Sequence, residues 1–548
     1  MRTLRSFVSL FLLIFLFGFL FGGVRVADAR PFRGSTKIYV ILCQTSDSGA
    51  APRTIDHYRN LLFASGTGGL ADWWHDMSYA NFDNAGAEVH GWYRLSRNTA
   101  QFTALARFDK VNACLDAART APSGAFAVPD GAIRYVVTAP SVDLFGWTGG
   151  AFLPFDFDVG AVAHEGGHGI ALDHSFSNDP TYRNATWAAI GEYDDPWDAM
   201  SWANSFRATT PFGDAPAGLV APHLDRLGWL PRSRVVVHGA SGAAETTYTI
   251  AAINHPEAPG ALVVRVPFDP GDLFRYYTIE FRRQDRWSAG IPADTVLIHE
   301  VKRNSDAGGG PSGPQIAWLQ RDLSRSDKAP AQTLNGNGVQ ITVLSVNASA
   351  NQAVVRVRSE MADRCLQGFV WREAGPADHV CVPPAERADT RNENTQAAAR
   401  RQPGGGPFGP DTCRQGFVWR EAFNGDHVCV PPASRDRARA SNAAANQRGN
   451  AARVSYGPNT CKPGFVWRES DDFDWVCVTG AVRTQTRDEN AQAAARRQPG
   501  GGPFGPDTCR AGFVWREAYL NDHVCVPVAS RTAARNDNSQ ASSRLAIP

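Results

Sequence analysis

His164-Glu165-Gly166-Gly167-His168-Gly169-Ile170-Ala171-Leu172-Asp173-His174 decides how this chain is read. On a helix, residues four apart share a face. His164 and His168 therefore stand one turn apart, and both imidazoles reach one metal ion. Glu165, directly after the first histidine, sits beside that metal and can take a proton from a water held there. His174 completes the set if the chain turns sharply after the helix. Three protein ligands plus a water make a catalytic zinc site, whereas a structural site uses four protein ligands. The competing reading is a surface helix with clustered histidines.

Outward from the motif, the chain of 548 residues is too long for one core, so several domains are expected. Its formal net charge of +1 gives no electrostatic reason to expect nucleic acid as a partner. Residues 1–29 read as a signal peptide: Arg2 and Arg5 form a charged start, Phe7 to Val24 an apolar run, and Ala27-Asp28-Ala29 a cleavage site. Cleavage would leave Arg30 as the mature start and no stable membrane insertion. An uncleaved anchor is the alternative. Only a few residues separate that cleavage site from the first strand, so no long inhibitory pro-segment is expected. A secreted, extracellular protein is the resulting expectation.

Residues 30–234 are expected to form a mixed α/β catalytic domain, with the motif helix packed on a sheet. Lys37 to Leu42 and Ala132 to Thr138 read as strands. Leu70 to Met77, Thr103 to Arg119 and Val159 to Ile170 read as helices. Residues 235–359 hold many short β-branched runs separated by Gly, Pro and Asn, which predicts a β-sandwich.

Here the chain resembles a family. The stretch His164 to His174 is similar to the zinc signature of the metzincin proteases. Gly191-Glu192-Tyr193-Asp194-Asp195-Pro196-Trp197-Asp198-Ala199-Met200-Ser201 resembles the Met-turn segment of gametolysin-like and immune-inhibitor-A-like secreted peptidases. Leu70 to Tyr79 and Gly91 to Leu95 resemble the same peptidases. The resemblance covers residues 36–205 well, the segment to 359 loosely, and the rest not at all. It implies a zincin-like fold, a Zn2+ cofactor held by His164, His168 and His174, Glu165 as general base and proton shuttle, and Met200 as the apolar floor beneath the metal. Two positions depart from the family pattern. Ala171 stands where a glycine lets the chain leave the helix with positive φ, and Trp202 stands where many metzincins carry a tyrosine. Tyr193 is a candidate substitute. Glu192 remains a rival third ligand, with Asp173, Asp194 and Asp195 nearby.

Residues 360–548 carry four copies of one unit, each with Gly-Phe-Val-Trp-Arg-Glu (Gly368, Gly416, Gly464 and Gly512 begin them), recurring every 48 residues. Gln396 to Cys413 recurs unchanged as Gln492 to Cys509, two units later, which points to duplication of a two-unit block. The ten cysteines predict disulfides Cys365–Cys381, Cys413–Cys429, Cys461–Cys477 and Cys509–Cys525 within the units and Cys43–Cys114 in the front of the chain. A loop of unit size contributes about 3 kcal/mol in the chain-entropy model. Each unit is too small for a real core. The expectation is four disulfide-closed β-hairpin beads on flexible linkers such as Ala397 to Pro410 and Ser434 to Arg453. Their tryptophans, Trp371, Trp419, Trp467 and Trp515, are expected to fill the beads. His379, His427 and His523 recur beside them, but the third copy has Trp475.

Taken together these features predict a secreted zinc endopeptidase acting on protein or glycoprotein. Its repeats would tether it to a polymeric surface such as cell wall or matrix through avidity. The alternative is a secreted adhesin or carbohydrate-binding protein whose metallopeptidase-like domain is an inactive scaffold. Asn184-Ala185-Thr186 and Asn347-Ala348-Ser349 fit glycosylation acceptors.

Overall fold

A computed structural model describes residues 32–546, except 85, 180–181, 241–244, 270–271, 273, 304–314, 323–331, 361–364, 377 and 450–456. The signal-peptide reading of residues 1–29 lies outside the described residues. The chain is a multidomain, mixed α/β protein ending in small disulfide-closed hairpins.

The apolar run at the start is a central strand, β1 (Ile38–Gln44), buried along its whole length. It pairs in parallel with β2 (Glu88–Arg94) on one side and β3 (Ile133–Ala139) on the other. A strand flanked this way and covered on both faces needs no polar alternation, which is why the run reads as continuous. β4 (Phe145–Trp147) and β5 (Gly150–Pro154) complete a five-stranded sheet in the order β2-β1-β3-β5-β4. Only β4 runs antiparallel, and it is the outermost strand on its side.

Helix α1 (Leu70–Met77) and the motif helix α3 (Val159–Gly169) cover one face, with Trp73, Trp74, Val162 and Ala163 in the core. Helix α2 (Arg107–Arg119) covers the other and is tied to β1 by Cys43–Cys114. The short strand β6 (Phe176–Ser177) and helix α4 (Ala221–Leu227) follow.

The next strands are β7 (Val235–Val237), β8 (Glu245–Ala251), β9 (Val263–Pro267), β10 (Tyr276–Arg282), β11 (Thr295–Arg303), β12 (Gln315–Asp322), β13 (Gln332–Gly336), β14 (Val339–Asn347) and β15 (Gln352–Ser359). They build two sheets that share one apolar core. Ile279, Phe281 and Ile298 come from one sheet, and Ile341, Val355 and Val357 from the other. The four-stranded sheet runs β8-β15-β14-β13. The six-stranded one runs β7-β9-β10-β11-β12-β6. Its last member, β6, comes from the front part of the chain and pairs in parallel with β12 through Phe176↔Trp318 and Ser177↔Leu319. The boundary expected at residue 234 is therefore crossed by a strand.

β10 shows why the two parts fit. It is buried on both faces. Tyr277, Ile279 and Phe281 enter the sandwich core, while Glu280 and Arg282 on the other face meet the front part. Arg282 donates to the carbonyls of Trp197 and Leu219 at 2.7 Å each. Glu280 accepts the N–H of Ala221 at the start of α4.

Four hairpins follow, each of two-residue strands such as Val370–Trp371 against Cys381–Val382, each closed by its expected disulfide. Two expectations are corrected. First, an arginine rather than the tryptophan fills each unit: Arg372, Arg420, Arg468 and Arg516 are fully buried, and the four tryptophans are half-buried. Each arginine makes a two-pronged pair with an aspartate, as Arg372 does with Asp378 at 2.7 and 2.9 Å and Arg468 with Asp474 at 2.7 and 3.0 Å. Second, the expected linker Ser434 to Arg453 is largely helix, in Pro432–Ala443 and Ala445–Arg448, whereas Ala397 to Pro410 is helical only as far as Arg400.

The units clasp in pairs. Arg372 of unit one donates to the Ala422 and Ala438 carbonyls of unit two, and Arg420 of unit two returns a bond to Ala374 of unit one at 3.2 Å. Arg468 likewise reaches Ala518 and Ala534 of unit four. Chain ends close each ring: Arg401 pairs with Cys413, and Gly449 returns to Cys365. The repeating two-unit block is thus a structural block. The second pair rests on the front of the chain, where Arg33 grips Asp471 with both nitrogens at 2.9 and 2.8 Å.

Candidate metal centre

Asp158 caps α3 by accepting the Ala161 N–H at 2.7 Å. The helix carries His164, Glu165 and His168 and ends at Gly169. Ala171 then adopts φ +67°, the left-handed turn that the family pattern assigns to glycine. Leu172 N–H bonds back to Gly167 O at 2.9 Å, and the chain delivers His174 to the other two histidines. Alanine pays a steric penalty in that conformation, so Ala171→Gly is expected to stabilise the fold by about 0.5–1 kcal/mol. A thermal melt checks this, and a lower midpoint would contradict it.

The ligand-type nitrogens of His164, His168 and His174 lie within 4.8 Å of one another. Each ring is held from behind through Nδ1. His164 bonds to Ala199 O at 3.0 Å, His168 to Leu172 O at 2.8 Å, and His174 to a Glu192 carboxylate oxygen at 2.6 Å. A carbonyl oxygen only accepts, so Nδ1 carries the proton in His164 and His168 and the Nε2 lone pair is left free. Burial and the neighbouring imidazoles push His164 well below its ordinary range and His168 down to about 4. Both are thus neutral, as metal ligands must be. Nε2 of His168 and Nε2 of His174 stand 3.1 Å apart. Two nitrogens of a tetrahedral zinc site stand about 3.3 Å apart. That pair has the spacing of a zinc site, and the three histidines could bind a metal ion.

Glu192, the rival ligand, stands behind His174 on its Nδ1 side and orients that ring. Asp194 accepts the N–H groups of Asn184 and Ala185, Asp195 pairs with buried His299 at 3.0 Å, and Asp173 pairs with Arg226 at 3.3 Å. Tyr193 brings its hydroxyl within 2.9 Å of His174 Nε2. It stands at the cluster, as the candidate substitute for the tyrosine absent at Trp202, and burial pushes its phenol up. Met200 is fully buried beneath α3. A Cβ at Gly167 would come within 2.5 Å of its sulfur, so glycine is required for that approach.

Glu165 is buried beside the cluster, and burial pushes its carboxyl up to about 7. The Gly146 N–H bonds to this carboxylate and partly offsets the shift. A side chain at Gly146 would collide with the Glu165 carbonyl at 2.5 Å and with the His168 Cβ at 2.8 Å. Sequence reasoning missed Gly146, although a glycine between two aromatics on a short strand marks such a close approach.

The segment bearing Glu192, Tyr193 and Met200 is clamped from outside. Its first strand, β6, lies in the sandwich sheet, Asp195 meets His299 of β11, and Trp197 is held by Arg282. Behind it, His223 of α4 pairs with Asp198 at 2.7 Å. No protein-family model and no curated protein matches this chain.

Proposed function

We propose that this protein is a zinc-dependent endopeptidase of the metzincin-like kind. The observation that carries the reading is the convergence of three Nδ1-anchored histidines beside a buried glutamate. A zinc ion held by His164, His168 and His174 would supply a Lewis acid that lowers the pKa of a water and polarises a carbonyl. Glu165 takes the proton from the attacking water and hands it to the departing amine. The Tyr193 hydroxyl donates to the oxyanion as it forms. β4 is the outermost strand of its sheet and passes directly against Glu165. An extended peptide pairing with it would lie across the site.

The five disulfides suit an oxidising compartment, and no helix among the described residues is long and apolar enough to cross a membrane. We read the protein as exported, with its units serving as tethers at a surface. Metal analysis of the purified chain should find about one zinc per molecule. Casein cleavage should stop with a chelator and return with zinc. Cleavage at full rate after the metal is gone would overturn the reading.

A further inference from the structure

One face of unit three is filled by this chain itself. Gly457, Pro458 and Asn459 are fully buried there. Asn459 donates to Asp225 O at 2.7 Å, and Trp475 donates to Leu230 O at 3.0 Å. Arg232 lays its guanidinium beside Glu469 at 3.5 Å and donates to Asp471 O at 2.9 Å. What the face holds is the end of α4 and the turn after it, with an arginine at its tip.

Units two and four carry the same face largely uncovered; at one rim of unit four Arg33 lies over the Tyr519 ring at 4.1 Å. Gly409 and Pro410 in unit two, and Gly505 and Pro506 in unit four, are exposed where unit three is buried. Glu421 and Glu517 stand at the position of Glu469, with side chains 42% and 38% exposed. Glu469 takes Arg232 while still holding Arg487. Glu421 and Glu517 hold Arg439 and Arg535 in the same way, so they keep the same capacity. Asp411 and Asp507 replace Asn459, but each already holds an arginine and a histidine of its own unit (Arg401 and His427, Arg497 and His523), so the negative charge open to a partner lies on Glu421 and Glu517.

Each uncovered face also has an aromatic anchor. Phe408 and Phe504 are 71% exposed, edge-on to Trp419 and Trp515 at 5.9 and 5.8 Å. They do not dangle. In unit two, Gly406 and Gly409 exchange backbone bonds at 3.1 and 2.9 Å, and Thr412 accepts the Phe408 N–H; unit four repeats both features. A large apolar side chain held in solvent on a closed loop has already lost the freedom that binding would cost it.

We propose that units two and four each present a docking face for a polypeptide turn bearing an arginine, the chemistry that unit three already grips within the chain. Its guanidinium pairs with Glu421 or Glu517, as Arg232 does with Glu469, and the aromatic anchor packs against the body of the turn.

The test pans short random peptides displayed on phage against the full chain, with a Phe408→Ser/Phe504→Ser chain as the depletion control. Recovered peptides should share an arginine beside a Gly, Pro or Asn turn and should bind the double variant at least about tenfold more weakly. A Glu421→Gln/Glu517→Gln chain should also bind them more weakly, and should not discriminate peptides whose arginine is replaced by alanine. The proposal is overturned if no peptides are enriched, if they lack arginine, or if they bind all three chains alike. It is equally overturned if chitin or peptidoglycan binds the full chain and is lost with Phe408 and Phe504, because the face would then be a glycan platform.

Discussion

On the proposed zinc-peptidase mechanism, Glu165→Gln is expected to keep the bound metal and lose about 10²–10⁴-fold in peptide hydrolysis, the span that one positioned proton-transfer group contributes. The substitution preserves shape. A glutamine oxygen can still accept the Gly146 N–H, and the three histidines keep their Nδ1 anchors at Ala199, Leu172 and Glu192. What is lost is the ability to take a proton. The burial that pushes the Glu165 carboxyl up also makes it the group best matched to proton transfer near neutrality. Metal content and initial rates on casein should be measured on the same preparation. Unchanged metal with unchanged rate would remove Glu165 from the chemistry. Loss of metal along with rate would show that the carboxylate shapes the site and does not act in it.

Arg468→Ala should destabilise the second pair of units by about 3–5 kcal/mol, the cost of stranding a buried charge. Asp474 would keep its burial and lose the guanidinium, and the bonds from Arg468 to Ala518 and Ala534 across the pair would go with it. Burial alone would raise the Asp474 pKa, but the Arg468 guanidinium outweighs it and holds the carboxyl at about 2. A folded-state value below the unfolded one means that the pair stabilises the protein above about pH 4. That contribution fades as the pH falls toward 2. Calorimetry of the full chain should show the second pair melting earlier in the variant at neutral pH, with the difference from the parent shrinking in acid. Replacing both partners with leucine should recover much of the loss. A variant that melts like the parent would show that the buried pair is not what holds the units together.

Much of this architecture was legible from local pattern. Helix α1 falls where the pattern placed it, at Leu70–Met77, and the motif helix ends one residue before its expected close, at Gly169. The sandwich strands announce themselves through β-branched runs, as in β15, where burial alternates residue by residue. The helices after the hairpins do not, because the stripe they bury is polar. Glu386, Thr390 and Glu393 face inward, and a reading that looks for apolar periodicity finds none. The buried arginines were hidden for a related reason. A guanidinium becomes a core group only when a carboxylate six residues on turns back toward it, and that is a tertiary event. At the candidate centre, the motif located three histidines and a glutamate. It could not show that Ala171 accepts positive φ, that Glu192 stands behind His174, or that Tyr193 faces the cluster.

The pairing of β6 with β12 also has a meaning in time. His174 lies two residues before β6, and Glu192 and Tyr193 ride on the segment that follows it. On the ribosome, all three histidines emerge long before Gln315–Asp322 has been translated. Until then β6 lacks that partner, and the loop that seats the third histidine is held only by local bonds such as Ser177 N–H to Gly191 O and Tyr193 N–H to Ser175 O. The outer support of the third histidine's loop is therefore complete only once more than half of the chain has been synthesised.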